Sequence, residues 1–148
     1  MATDLNTSLY RDEVGSVPNG AVVLLGRLFF VLLFLISAPD YFSAGGIKYA
    51  ALQGVPLASL AVPLSGLVAL AGSLSILLGY RARFGAWLII LFLVPVTLTM
   101  HKFWAVTDPA IAHMQMINFM KNVAISGAFL LLVANGPGPL SIDRRRAK

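Results

Sequence analysis

Four long apolar stretches alternate with short polar breaks, over residues 21–38, 57–78, 84–100 and 116–134. Each is close to the roughly 17–25 residues an α-helix needs to cross a bilayer. Helices and closed β-barrels are the two architectures that satisfy every backbone group in lipid. These runs are continuously apolar, without the period-two alternation of a barrel strand. The pattern therefore predicts an all-α fold, an integral membrane four-helix transmembrane bundle.

Turn residues mark the boundaries. Pro39 and Asp40 are expected to end the first helix. Gly45-Gly46, Gly54 and Pro56 mark the first connection. Gly79-Tyr80-Arg81-Ala82-Arg83 is so short a turn that helices two and three must be antiparallel neighbours. Thr107-Asp108-Pro109 breaks the third connection, and Asn135-Gly136-Pro137-Gly138-Pro139 stops the fourth helix. The organisation that follows is a short polar arm over 1–20, a four-span domain over 21–135 and a basic tail over 136–148. No internal repeat or low-complexity tract is visible.

Composition agrees with a lipid solvent. Of 148 residues, 58% are hydrophobic and 11% charged, where a soluble domain carries roughly 25% charged residues. The absence of cysteine excludes disulfides, thiol–disulfide exchange and cysteine-ligated iron–sulfur clusters. The first residues carry Asp4, Arg11, Asp12 and Glu13 and lack the basic-then-apolar pattern of a secretory signal. Of the formal charge of +5, much sits in Arg144, Arg145, Arg146 and Lys148. So short an arm, with no interleaved aromatics, suits topology and anionic lipid better than nucleic acid. With four crossings, Arg11, Arg81, Arg83 and this cluster share one side, while Lys48 and Lys102 lie on the other. The bias predicts cytoplasmic amino and carboxy termini.

Helix two is rich in small residues. Ser65, Ala69 and Ser73 form one face, and Ala71, Ser75 and Gly79 another. Such faces let helix backbones approach closely in lipid, so helix two is expected at the centre of the bundle.

Polar groups inside spans need a reason. Arg27 lies about a turn and a half into helix one. It either snorkels to headgroups or makes a structural pair or hydrogen bonds to facing carbonyls. Topology brings Asp40, Tyr41, Lys48, His101, Lys102, Trp104, Asp108, His113, Gln115, Lys121 and Asn122 to the other side, as a structural polar cluster or a ligand site. Lys121 and Asn122 should be sunk below the interface, with Asp40 the first candidate partner of Lys121. His101 and His113 lack the i, i+4 spacing of a helical metal site. Trp104 suits an interfacial aromatic belt. Pro95 is expected to bend helix three and open a crevice near His101.

The chain resembles the DoxX-like family of small four-helix membrane proteins. The resemblance rests on Leu25-Gly26-Arg27, on Gly72 through Gly79-Tyr80-Arg81-Ala82-Arg83, and on Val96-Thr97 with His101-Lys102-Phe103-Trp104. It continues through Phe119-Met120-Lys121-Asn122 and Gly136-Pro137-Gly138-Pro139-Leu140-Ser141-Ile142-Asp143. It implies a four-helix bundle and, from members that pass electrons to quinone, a subunit or partner of a membrane-bound, quinone-linked oxidoreductase in a bacterial inner membrane. Arg27, His101, Trp104, Lys121, Asn122 and the Ser-x-Asp pattern carry over. Ala38 and Tyr41 depart from the Gly and Lys that many members have there, and Ala69 from a Glu. Those departures remove an intramembrane ion pair and any catalytic role resting on it.

The resulting expectation is a quinone slot built from His101, Trp104, Lys121 and Asn122, with Asp40 tuning Lys121. No motif for haem, flavin, metal or an iron–sulfur cluster is present. The alternative is a non-catalytic membrane scaffold or assembly factor holding protein partners or copies of itself. A transporter is disfavoured, because there is no inverted repeat or broken-helix pair.

Overall fold

The computed structural model describes residues 20–146, and every regular element among them is helical. Most of the polar arm expected over 1–20, and the last two residues, lie outside the described residues. The first span is built in two pieces: α1 (Gly20–Ile36) passes through Ser37 into the short α2 (Ala38–Phe42). Pro39 does not stop the chain. It sits in the first turn of α2, where no intrahelical N–H is required. Ser43 then turns the backbone, and its hydroxyl accepts the Gly46 N–H at 2.9 Å to open α3 (Ala44–Leu52). Gly45-Gly46, expected as part of an open connection, begins a helix instead. A side chain at Gly46 would run into the Asp40 carbonyl.

The remaining spans are α4 (Ala58–Leu78), α5 (Ala82–Met100), which leads into a 3₁₀ turn over Phe103–Ala105, and α6 (Pro109–Asn135). A short α7 (Ile142–Arg146) follows. Gly79 at φ 64° and Arg81 at φ 47° turn the chain from α4 into α5. α6 starts at Pro109 rather than near residue 116. The Asp108 carboxylate accepts the Ala110 and Ile111 N–H groups at 2.9 and 3.0 Å, and Pro109 fills the first turn. This is an N-cap followed by an N1 proline, which starts a helix. α5 continues through Pro95, and Thr99 Oγ1 donates to the Pro95 carbonyl at 2.7 Å.

Among the described residues four segments are long and apolar enough to cross a membrane: Gly20–Phe42, Ala58–Leu78, Ala82–Ala105 and Pro109–Asn135. The fold is an integral membrane four-helix bundle. α4 is central, packing against α1, α2, α3 and α5, while α5 packs on α6. Small residues set the close approach of α4 and α5. A Cβ on Gly72 would stand 2.8 Å from the Gly85 carbonyl oxygen, and one on Gly85 would stand 2.9 Å from that of Gly72. Aromatic rings bridge α1 and α6, with Phe30 and Phe34 lying 5.7 and 6.0 Å from Phe129. The compact core is Val31, Phe34, Ala69, Ile76, Ala86, Ile89, Phe92, Leu93 and Phe129. Far more large apolar side chains point outward, among them Phe29 at 68% and Leu131 at 66% exposure. Such a surface would aggregate in water, and hydrocarbon covers it without cost.

Candidate functional site

The bundle has two polar ends. At the end distant from residue 20, His101 closes α5 and shares a 2.8 Å hydrogen bond between its Nδ1 and Gln115 Oε1 on α6. Phe103, Trp104 and Phe119 stack edge-on beside it, with centroids 5.1–5.8 Å apart. Lys102 Nζ donates to the Gln53 carbonyl at 3.1 Å, tying the end of α5 to the end of α3. His113 is exposed. Among the described residues no group of three His, Cys, Asp or Glu is placed to hold a metal.

The expected quinone set is only partly brought together. His101 and Trp104 are neighbours around the 3₁₀ turn. Asn122 is buried at 5% exposure. Lys121 faces outward and donates to Asn118 Oδ1 at 3.0 Å. The Lys121–Asp40 pair does not form: Asp40 is exposed on α2, and no ion pair joins the two. Sharing one end of a bundle fixes neither the depth along a helix nor the direction around its axis: Asp40 lies near the end of the first span, while Lys121 lies further into α6.

The depth of Lys121 is notable. α6 has 27 residues, which is about 40 Å of helix. Its first turns reach past the end of α5, because Gln115 pairs with His101, and Lys121 stands about 9 Å further along the helix than Gln115. An outward ammonium there is relieved by reaching back toward the headgroups, the direction in which Asn118 lies, and costs up to about 3 kcal/mol where it cannot.

The other end holds the more elaborate structure. After α6, residues 136–141 fold back across the bundle as a strap. Gly136 and Gly138 at φ 77° and 69° permit the reversal, and Leu140 also adopts a positive φ of 55°. Arg27, only 2% exposed, donates from Nη2 to the Leu140 carbonyl at 2.6 Å. Its Nε and Nη1, like the buried Ser73 Oγ, have no hydrogen-bond partner among the described residues. Ser141 is buried and donates from Oγ to the Gly138 carbonyl at 2.8 Å. The Asp143 N–H donates to the Gly79 carbonyl at 2.9 Å. The Asp143 carboxylate accepts the Arg81 and Ala82 N–H groups at 2.8 and 3.1 Å. A residue 61 positions downstream thus caps the start of α5, with a negative charge at a helix N-terminus.

Within 136–148, expected as a basic tail, composition and spacing give no sign of these contacts. The available signal was Asp143, one acid beside three consecutive arginines. Asp143→Ala is expected to cost about 1–2 kcal/mol by removing a charge-assisted cap. Asp143→Asn should cost less, because its amide oxygen still accepts one N–H. Equilibrium unfolding in mixed micelles, followed by circular dichroism, gives both values.

Between the strap and the turn before α5 lies a crevice of about 630 Å³, lined by Arg81, Arg83, Phe84, Asp143 and Arg144 among others. The model of the SURF4 family matches residues 55–148, the part of the chain that includes the crevice and the strap. The chain belongs to the SURF4 family. It is also similar to two curated relatives from Escherichia coli (strain K12). Inner membrane protein YphA is 36% identical over 143 residues, covering 95% of this chain and 100% of the relative. Inner membrane protein YqjF is 34% identical over 124 residues, covering 82% and 89%. No solved structure matches the chain. Both relatives' names give a location and no activity, so chemistry in this SURF4-family chain has to be argued from its own residues.

Proposed function

We propose that this chain is an inner-membrane partner subunit of a quinone-linked oxidoreductase system, of the kind its DoxX-like features imply, and that it acts by holding a partner rather than by carrying the redox centre. The observation behind this reading is Lys121. An ammonium on the outer flank of α6, inside the apolar span and with Asn118 as its one hydrogen-bond partner among the described residues, is better served by a protein surface than by lipid. A partner helix offering a carboxylate or carbonyl at that depth would supply it. The names of the two relatives support the inner-membrane placement. Lys and Arg asymmetry supports cytoplasmic termini. Most polar side chains at the His101 end contribute to structure: Lys102 ties α3, Asp108 caps α6, and His101 binds Gln115.

A second reading, direct contact with quinone, has one observation in its favour: a half-buried imidazole at the same end of the bundle as three mutually packed aromatic rings. One complementation experiment separates the two. Membranes from cells lacking the chain should lose quinone-linked electron transfer, and the wild type should restore it. Lys121→Gln, inserted at normal level, should restore less than half, while His101→Ala restores it fully. The reverse pattern would favour quinone contact at His101. Unchanged electron transfer without the chain would overturn the oxidoreductase reading and leave a scaffold for another complex.

A further inference from the structure

The charge balance at the strap end is uneven. Arg81, Arg83 and Arg144 line the crevice, and Arg27 lies buried beneath it, close enough that a Cβ on Gly79 would meet both Arg27 Nη1 and Ser141. The acids of the described residues are Asp40 and Asp108, at the far end, and Asp143. Both Asp143 oxygens are held by the backbone N–H groups of Arg81 and Ala82. Four guanidinium groups therefore share this end with one carboxylate, each of whose oxygens already accepts a backbone N–H. Arg83 spends Nη2 on the Ala134 carbonyl at 3.3 Å, and Arg81 lies 6.0 Å from the Tyr80 ring. No ion pair forms at any of the four among the described residues. A buried guanidinium with two idle nitrogens beside an open cationic crevice is a field without its counter-ion.

We propose that this crevice binds a phosphate-bearing anion, with an anionic phospholipid headgroup as the natural source. Guanidinium groups match phosphate oxygens in planar, two-point geometry. The crevice sits where α4 and α6 end and α5 begins, at one rim of the apolar spans, where headgroups border a bilayer. Its volume of about 630 Å³ is in the range of small-ligand sites. Phe84, a lining residue at 61% exposure, gives an acyl chain an apolar path out to the bilayer. Occupancy would tie the start of α5 to the strap through one ligand and stabilise the clasp by linkage.

The test is thermal unfolding of the full chain in neutral detergent with three additions at equal concentration: phosphatidylglycerol, phosphatidylcholine and inorganic phosphate. Phosphatidylglycerol should raise Tm by about 5 °C or more, and phosphatidylcholine by much less. The double variant Arg83→Gln/Arg144→Gln, altered only at exposed side chains, should lose that rise. Arg145→Gln/Arg146→Gln removes the same charge outside the crevice and should keep it. If inorganic phosphate alone reproduces the rise, the site stands with free phosphate as its source. Equal shifts with both lipids, no shift at all, or equal loss in the two double variants would overturn the proposal.

Discussion

Gly79→Ala is expected to unseat the strap and to cost about 2–5 kcal/mol. Two effects add. Position 79 has φ 64°, where a residue with a Cβ is less stable by about 1–2 kcal/mol. The new methyl would also stand 2.9 Å from the Ser141 Cα and closer still to Arg27 Nη1. Ser141 cannot retreat cheaply, because its hydroxyl binds Gly138 and the neighbouring peptide binds Gly79 itself. Forcing a methylene-sized group into packed structure costs about 1–3 kcal/mol. Gly54 separates the terms. It has φ 85°, and only Lys102 Nζ, at 3.8 Å, would face a Cβ there. Gly54→Ala should lose only the backbone part, about 1 kcal/mol. The chain has no cysteine, so Ser141→Cys offers a single thiol for maleimide labelling. It should react slowly in the wild-type background and much faster beside Gly79→Ala. Equal labelling in both backgrounds would mean the strap does not depend on this contact.

The spans were legible in the sequence because crossing a bilayer demands long apolar runs, and nothing else in a chain this short imitates them. Their ends were less so. The first two turns of α6 carry His113 and Gln115, so hydropathy places the start at Met116, while the helix is set by the Asp108–Pro109 cap. Gly45-Gly46 has turn composition, and its role came only from the Asp40 carbonyl pressed against it. The candidate site suffered from a deeper ambiguity. A helix apolar on every face gives no azimuth, so Lys121 could be assigned a depth but not a neighbour. The clasp was hidden for a different reason. Residues 136–143 dock through contacts reaching 61, 62 and 113 positions along the chain, and no local pattern encodes those. Three features marked that end without giving its contacts: Arg27, a charge with no reason to be in lipid, Asp143 beside three arginines, and the Ser-x-Asp pattern of the DoxX-like resemblance.

Gly85→Leu is expected to separate α4 from α5. In water a hairpin that opens exposes apolar surface and is penalised for it. In lipid that penalty is absent, and association rests on van der Waals packing and close backbone approach. A Cβ at Gly85 would stand 2.6 Å from Ser75 Oγ and 2.9 Å from the Gly72 carbonyl. The second contact is backbone, so the helices themselves must move. A methyl there costs about 1–3 kcal/mol of overpacking, against a helix-propensity gain of about 0.5–1 kcal/mol. Gly85→Ala should therefore destabilise by about 1–2 kcal/mol on balance, and leucine should cost more because its branch has no space to enter. Gly127 on α6 provides the opposite sign, since a Cβ there meets nothing within 4 Å. Gly127→Ala should stabilise by up to about 1 kcal/mol. Equilibrium unfolding in mixed micelles reads all three variants. Loss at 85 with gain at 127 would show that interhelical approach, and not glycine's own helix propensity, governs the bundle. Gain at both would mean that α4 and α5 stand further apart in the membrane than their backbones do here.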